Sequence, residues 1–527
     1  MLSLEPNVLN VVLAALPILV VLYLMIGRHW GGSKAGPAGW LASIIVAVFF
    51  FGAGLPLLLV AWAKAILLAF FVLYIIWMAL LLYHTVNEAG VIKAIGQEMP
   101  GIAHDKPAQA LLLAWIFGAF LQGATGFGVP AAVVAPLLVG MGFAAGAAVV
   151  IALLGHAWAV TFGSLGSSFI SMIATTGVPG AQLAGPSAAF LAVAALGCGL
   201  GVLWLTDRWS AIRRRGLFVL LLTLIMGGTQ WAIAATGLWT LAALGAGLAG
   251  LLVAIPLLSH QTNRTNKDGE TGIAPPAGNS SRTVRLLVAF FPYMILISVV
   301  LLGQLLLPDL LDEVIINFNF PEVCTSFGWC IAAGTGRSIS LFGHGGALLL
   351  YASLLTMLWY KWRGPLPTAP ADSYSVKAIG RKTLKGMIKP TIGVYTLVAM
   401  ALTMEHAGMT QLLAEVLSQT GVLFPILSPF IGALGAFMTG SNTNSNVVFG
   451  QLQQQTALVL ALSVPLILAA QTTGGAIGSL FAPAKVIVGC STVSGADEGH
   501  VLKMASLAGL AIIVVIGMLV WVIAALT

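Results

Sequence analysis

The chain has 527 residues, of which 59% are hydrophobic and 7% charged, with a mean hydropathy of +1.02. This composition excludes a water-soluble enzyme and supplies apolar runs long enough to cross a hydrocarbon layer, so an all-α polytopic membrane protein is expected. The net charge of +7 lies in short connections without aromatic interleaving, which fits membrane orientation and speaks against nucleic acid as a partner.

Glu5 stands where a signal peptide would carry basic residues, so the first apolar run, 9–27, is expected to be a retained span. Spans at 40–60 and 66–83 follow, parted by a turn near Lys64. The segment 84–107 has mixed charges, a short amphipathic helix and a stop at Pro107. Apolar runs then extend from 109 to 205, interrupted at 122–130, 155–168 and 177–186, and end at Arg208 and Arg213–Arg215. Further spans are expected at 216–233, 238–257, 286–307, 338–360 and 391–407. A polar loop at 260–285, an acidic segment with Asp309, Asp312, Glu313 and Glu322, and a basic segment from Lys361 to Lys389 lie between them. The bias of basic residues toward the cytoplasm places 28–38, 208–215, 260–285 and 361–389 inside and 308–322 outside. The reading gives about twelve to fourteen spans and four regions: 1–108, a first repeat core 109–215, connecting spans 216–408, and a second repeat core 409–527. The four cysteines, Cys198, Cys324, Cys330 and Cys490, form no CxxC pair, so neither zinc nor an obligatory disulfide is expected. No feature fixes the oligomeric state.

Thr439–Asn446, TGSNTNSN, is an unbroken run of small, mostly polar residues between two strongly apolar ones. Lipid offers such a run no hydrogen-bond partner, so protein, water or solute must. Residues 118–128, GAFLQGATGFG, echo 435–445, GAFMTGSNTNS; and Gly163-Ser-Leu165, after His156, echoes Gly478-Ser-Leu480, after Gln471. The first copy begins after a connection placed inside and the second after a span that ends outside. These are inverted structural repeats with interrupted or re-entrant helices, the arrangement of a carrier that binds solute between its halves.

Four segments carry a resemblance: LLAWIFGAFLQGATGFGVPAAVVAPLLVGMGF (112–143), GHAWAVTFGSLGSS (155–168), LSPFIGALGAFMTGSNTNSNVVFGQLQQQTA (427–457) and AAQTTGGAIGSLFAP (469–483). Over nearly its whole length the chain resembles the lactate permease family, which includes glycolate permeases. The resemblance implies a bacterial inner-membrane symport system, without cofactor or metal, that takes up L-lactate, D-lactate or glycolate with a proton. Two positions depart from the family pattern, in which Gln122 is often a glutamate and Asn442 often an aspartate. Neither amide titrates, so a proton on another group, sodium coupling, or an uncoupled carrier of another small organic anion all stay open.

A small 2-hydroxy acid needs several donors or a buried cation for its carboxylate and a donor-acceptor for its hydroxyl. Gln122, Thr125, Ser441, Asn442, Thr443, Asn444 and Asn446 supply such groups, with Thr472 and Thr473 expected to face the same space. Gly126 and Gly128 permit irregular backbone and close approach to an anion. Arg337, apart from the cytoplasmic basic clusters, is the preferred counter-charge, and Lys485 competes with it. His156 and His344, set among small and apolar residues, are the proton-coupling candidates. Glu405 and His406 are expected at an outer or interfacial end. No concentrated catalytic constellation is evident, and interrupted repeats favour alternating access over an open pore.

Overall fold

The computed structural model describes residues 7–526 apart from 29, 99–101, 104, 127, 266–278, 312 and 370–373. Its helices begin with α1 (Val8–Leu22), α2 (Gly32–Phe50), α3 (Leu55–Glu88) and the short α4 (Val91–Glu98). Among the described residues, eleven helices are long and apolar enough to span a membrane, and a bent pair brings the number to twelve. This trims the expected twelve to fourteen. Lys64, expected in a turn, lies inside α3; the chain turns earlier, where Gly52 takes φ +68° and Pro56 opens the new helix. One lysine does not stop a helix, whereas a positive-φ glycine and a proline do.

The first repeat follows. α5 (Lys106–Ala110) runs through a π-helical stretch, Leu111–Phe117, into α6 (Gly118–Ala124); α7 (Val129–Gly140) comes next, then α8 (Ala145–His156) and α9 (Gly163–Thr176). Lys106 Nζ donates to the Gly142 carbonyl at 2.9 Å. The start of α5 therefore meets the end of α7, and α5–α7 is a hairpin that enters the protein and returns to the same side. α10 (Gly180–Ala235) breaks at Asp207 and Arg208, whose φ of 50° divides it beside the arginine cluster. α11 (Ala242–Thr265) and α12 (Asn279–Leu301) flank the polar loop, of which 266–278 lies outside the described residues.

After the short α13 (Pro308–Leu311), the acidic segment departs from the all-helical reading. It folds as one β-hairpin of three nested antiparallel ladders: Ile315–Ile316 with Ile339–Ser340, Asn319–Phe320 with Gly334–Thr335, and Val323–Cys324 with Cys330–Ile331. The innermost ladder sets Cys324 opposite Cys330 and the two form a disulfide, where no obligatory one was expected. Cross-strand register, which spacing does not reveal, brings the sulfurs together. The expected span at 338–360 begins later, as α14 (Gly345–Arg363).

α15 (Val376–His406) then passes between α2 and α3. Its basic start pairs Lys382 with Glu88 at the end of α3. Its other end reaches Lys64 near the start of α3, where Lys64 Nζ lies 3.3 Å from His406 Nε2, and Glu405 takes a hydrogen bond from Gln451. α16 (Met409–Ser418) leads to the second repeat: α17 (Phe424–Thr439), α18 (Asn442–Val459), α19 (Val464–Gly478), α20 (Pro483–Ser491) and α21 (Glu498–Leu526). Ser445 Oγ donates to Gly432 O at 2.7 Å and Gln453 Nε2 to Ser428 O at 2.9 Å, so α17 and α18 form an antiparallel hairpin with its tip at Gly440–Ser441. Gln451 places the open end of this hairpin beside His406, whereas the first hairpin opens on the side of α4 and Glu88, at the opposite end of α15. The hairpins point toward each other from opposite sides, as the charge pattern and the echoed motifs predict.

Candidate functional site

Each repeat breaks twice, and the breaks have local causes. In the first hairpin Gly126 and Gly128 take φ +66° and +81°; in the second, Gly440 takes φ +70°. In the first turn of α9, Ser164, Leu165 and Gly166 are all left-handed, at φ 47°, 57° and 77°. Two non-glycine residues there cost on the order of 1 kcal/mol each. A Cβ on Gly126 would strike the Ser164 side chain, so the two breaks of the first repeat lock together. Between α19 and α20 a short 3-10 turn, Ser479–Phe481, does the same job.

All four breaks border one cavity of about 370 Å³. Gln122 and Gly128 come from the first break, Ser164, Ser167 and Ser168 from the second, Thr439–Asn444 from the third, and Ala484 and Lys485 from the fourth. Gly31–Ser33 and Lys389 complete one wall. At about 30 Å³ per water the space equals roughly a dozen waters, ample for a three-carbon acid with some hydration.

Among the described residues the lining is rich in donors and has two lysines but no acid. Lys485 Nζ donates to Ser479 Oγ at 2.8 Å, which steers the ammonium back across the fourth break. Neither Gln122 nor the Asn444 side chain has a hydrogen-bond partner among the described residues, so both amides are available to solute. Gly163 makes room for Gln122: a Cβ there would lie 2.7 Å from Gln122 Nε2. α7, α18 and α20 all start at the cavity, and two of them, α7 and α20, have no side-chain cap. Their first N–H groups and positive dipole ends favour an anion.

Asn442 is also a fastener between repeats. Its Nδ2 lies 3.1 Å from Thr161 Oγ1 and 3.0 Å from the Thr472 carbonyl. Asn446 Nδ2 donates to Ser168 O and Thr472 Oγ1, both at 2.9 Å, and Ser168 Oγ meets Thr443 Oγ1 at 3.1 Å. These contacts tie the second break of the first repeat to the first break of the second.

Of the residues singled out in the sequence, Gln122, Gly128, Ser441, Asn442, Thr443 and Asn444 line the cavity, as does Lys485. Thr125, Gly126, Asn446 and Thr472 stand just behind the lining, where Thr125 Oγ1 bonds back to Leu121 O, and Thr473 is buried on α19 without lining the cavity. Arg337 and His344 do not reach it. Arg337 lies over the Phe71 ring at 4.1 Å and His344 stacks on Tyr74 with ring centroids 5.2 Å apart, on the face of α3 covered by the β-hairpin. His156 is buried on α8, four residues before the lining residue Val160, with Nδ1 2.6 Å from Ala152 O and Nε2 without a partner. The sequence reading missed Ser164, Ser167 and Ser168, although the run GSLGSS carried the signal, and it assigned Lys389 only to the cytoplasmic cluster.

The family model described as L-lactate permease matches residues 10–527. The chain belongs to the L-lactate permease family. This permease is 28% identical to the L-lactate permease of Escherichia coli K12 over 520 residues, covering 92% of this chain and 90% of that one. It is 28% identical to the glycolate permease GlcA of the same organism over 527 residues, with the same coverage. The L-lactate permease of Bacillus subtilis 168 is 26% identical over 530 residues, covering 93% of this chain and 92% of its own. Among solved structures, the YdaH transporter of Alcanivorax borkumensis overlays with a TM-score of 0.38 at 14% identity over 84% of each chain, a likeness too loose to carry function. Membership and the eleven membrane-capable helices make this permease a multi-pass membrane transporter of lactate or glycolate type.

Proposed function

We propose that the chain takes up L-lactate, D-lactate or glycolate across the bacterial inner membrane by alternating access, with proton symport. The observation that carries this reading is the convergence of four broken helices, from two inverted repeats, on one acid-free cavity with two lysines and free amides. The carboxylate is held by Lys485 and the helix N-termini, and the hydroxyl by Gln122 and Asn444. Gly31 and Lys389 put the cavity mouth toward the basic ends of α2 and α15, which the positive-inside bias assigns to the cytoplasm. In this conformation the site is open inward.

Because no acid lines the cavity, the coupling proton rides on another group. His156 is best placed: its Nδ1–H is committed to a carbonyl, leaving a buried, unpartnered Nε2 as a proton acceptor. The test is uptake of labelled L-lactate into liposomes holding the purified protein, with proton and sodium gradients imposed separately. Saturable uptake driven by the proton gradient and competed by D-lactate and glycolate is expected. Uptake that follows sodium alone would replace the coupling ion, and failure of all three acids to compete would remove the substrate assignment.

A further inference from the structure

Outside the cavity, Arg337 and His344 present donors that no side chain among the described residues accepts. Arg337 sits half-buried at the base of the β-hairpin, its guanidinium over Phe71, and its Nε is buried without a partner. No carboxylate pairs with it among the described residues. His344 packs against the same Phe71 ring, with centroids 4.6 Å apart, and is only 6% exposed. Its Nδ1 accepts from the Gly346 N–H at 3.1 Å, so the proton of the neutral ring is on Nε2, which is buried and unpartnered. An unpaired guanidinium beside an idle buried N–H is costly unless an acceptor visits.

The cluster also lies on a line to the cavity. The next residue, Gly345, faces Thr240, whose buried Oγ1 is again without a partner. The Trp239–Thr240 backbone in turn packs against Gly166, in the left-handed break whose Ser164 lines the cavity. Arg337, His344 and Thr240 thus lead from the acidic β-hairpin, on the side opposite the cavity mouth, to the back of the central site.

We propose that Arg337 and His344 form a second, outer binding site for a small carboxylate anion, which holds the solute on the closed side while the central cavity faces the cytoplasm. The guanidinium takes the carboxylate oxygens, His344 Nε2–H donates to one of them, and the Phe71 and Tyr74 rings wall the apolar end. Thr240 is the next donor inward. This inference rests on the carrier reading for its direction, but it concerns a different set of residues.

Equilibrium dialysis of the purified full-length protein with labelled L-lactate tests it. Two saturable sites per chain are expected. Arg337→Gln should remove one, with the affinity of the other unchanged within about two-fold, while Lys485→Gln should weaken the other at least ten-fold and spare the first. His344→Asn keeps an acceptor for the Gly346 N–H but withdraws the ring donor, so it should weaken the Arg337-dependent site and leave the melting temperature near that of the parent; it decides the matter if Arg337→Gln fails to fold. A single site per chain, abolished by Lys485→Gln and indifferent to Arg337→Gln and His344→Asn, would overturn the outer site and leave the carrier reading standing. A single site that depends on Arg337 alone would do the reverse. No saturable binding would overturn both.

Discussion

At the scale of single residues, the cavity is lined by cations and amides, with no acid among the described residues, and the two lysines are unequal. Lys485 is half-buried and held by Ser479, whereas Lys389 is exposed at the mouth. Removing a charge-assisted hydrogen bond to a bound carboxylate costs about 1.5–3 kcal/mol, so Lys485→Gln should raise the half-saturating lactate concentration ten-fold or more. Lys389→Gln should have a smaller effect that fades in high salt, because a solvent-exposed charge is screened. Equal effects of the two substitutions on uptake kinetics would argue against anion capture at Lys485. His156 makes a different kind of claim. If its Nε2 carries the coupling proton, His156→Gln should abolish accumulation driven by a proton gradient while lactate–lactate exchange, which needs no net proton movement, continues. The exchange rate of the variant should also be flat across the pH range in which the parent's uptake rises toward acid. Loss of exchange together with accumulation would make His156 a packing residue.

At the scale of elements, the repeats work because glycines let the broken helices touch. A Cβ on Gly474 of α19 would collide with the Pro429 backbone of α17, and one on Gly432 with the Gln471 carbonyl. Neither obstacle is a flexible side chain, so the helices themselves must separate. Gly474→Ala should therefore lower the thermal midpoint of the purified protein and cut lactate uptake; an unchanged midpoint would show that α17 and α19 have slack. This scale also shows what the sequence makes legible. TGSNTNSN and GAFLQGATGFG stand out because small polar residues interrupt apolar runs, and the structure puts both at hairpin tips facing one cavity. The place of Arg337 away from the cavity and the pairing of Cys324 with Cys330 escape the sequence for a shared reason. The neighbours of these residues are chosen by the register of a β-hairpin folded back over α3, and no local pattern of period 2 or 3.6 reports such pairing. Lys64 misled in the opposite sense: a charge was read as a turn, although the glycine at position 52 and the proline at 56 set the break. Glu405 and His406 were expected at an outer or interfacial end; they close α15, with His406 buried against Lys64.

At the scale of the whole molecule, sidedness joins the cavity to the hairpins. The Glu88–Lys382 pair and the open end of the first hairpin mark one side, while Lys64, His406, Gln451 and the disulfide-linked β-hairpin mark the other. Disulfides persist in oxidising compartments, so Cys324–Cys330 agrees with the acidic segment in assigning that second side to the exterior. Ser33 lines the cavity beside its mouth, and Thr335 is exposed on the β-hairpin. The native free cysteines, Cys198 and Cys490, are buried, which leaves added thiols as the main targets of a polar maleimide. In sealed vesicles of known orientation, a cysteine in place of Ser33 should react only from the cytoplasmic face, and one in place of Thr335 only from the exterior. L-lactate should slow the reaction at position 33 because the bound anion occupies the space the reagent must cross. Reaction of position 335 from the cytoplasmic face would break the inverted arrangement. Reaction at position 33 from the exterior in the absence of substrate would show instead that the inward-open form is the minor one at rest, and protection by lactate from either face would still place the anion in this cavity.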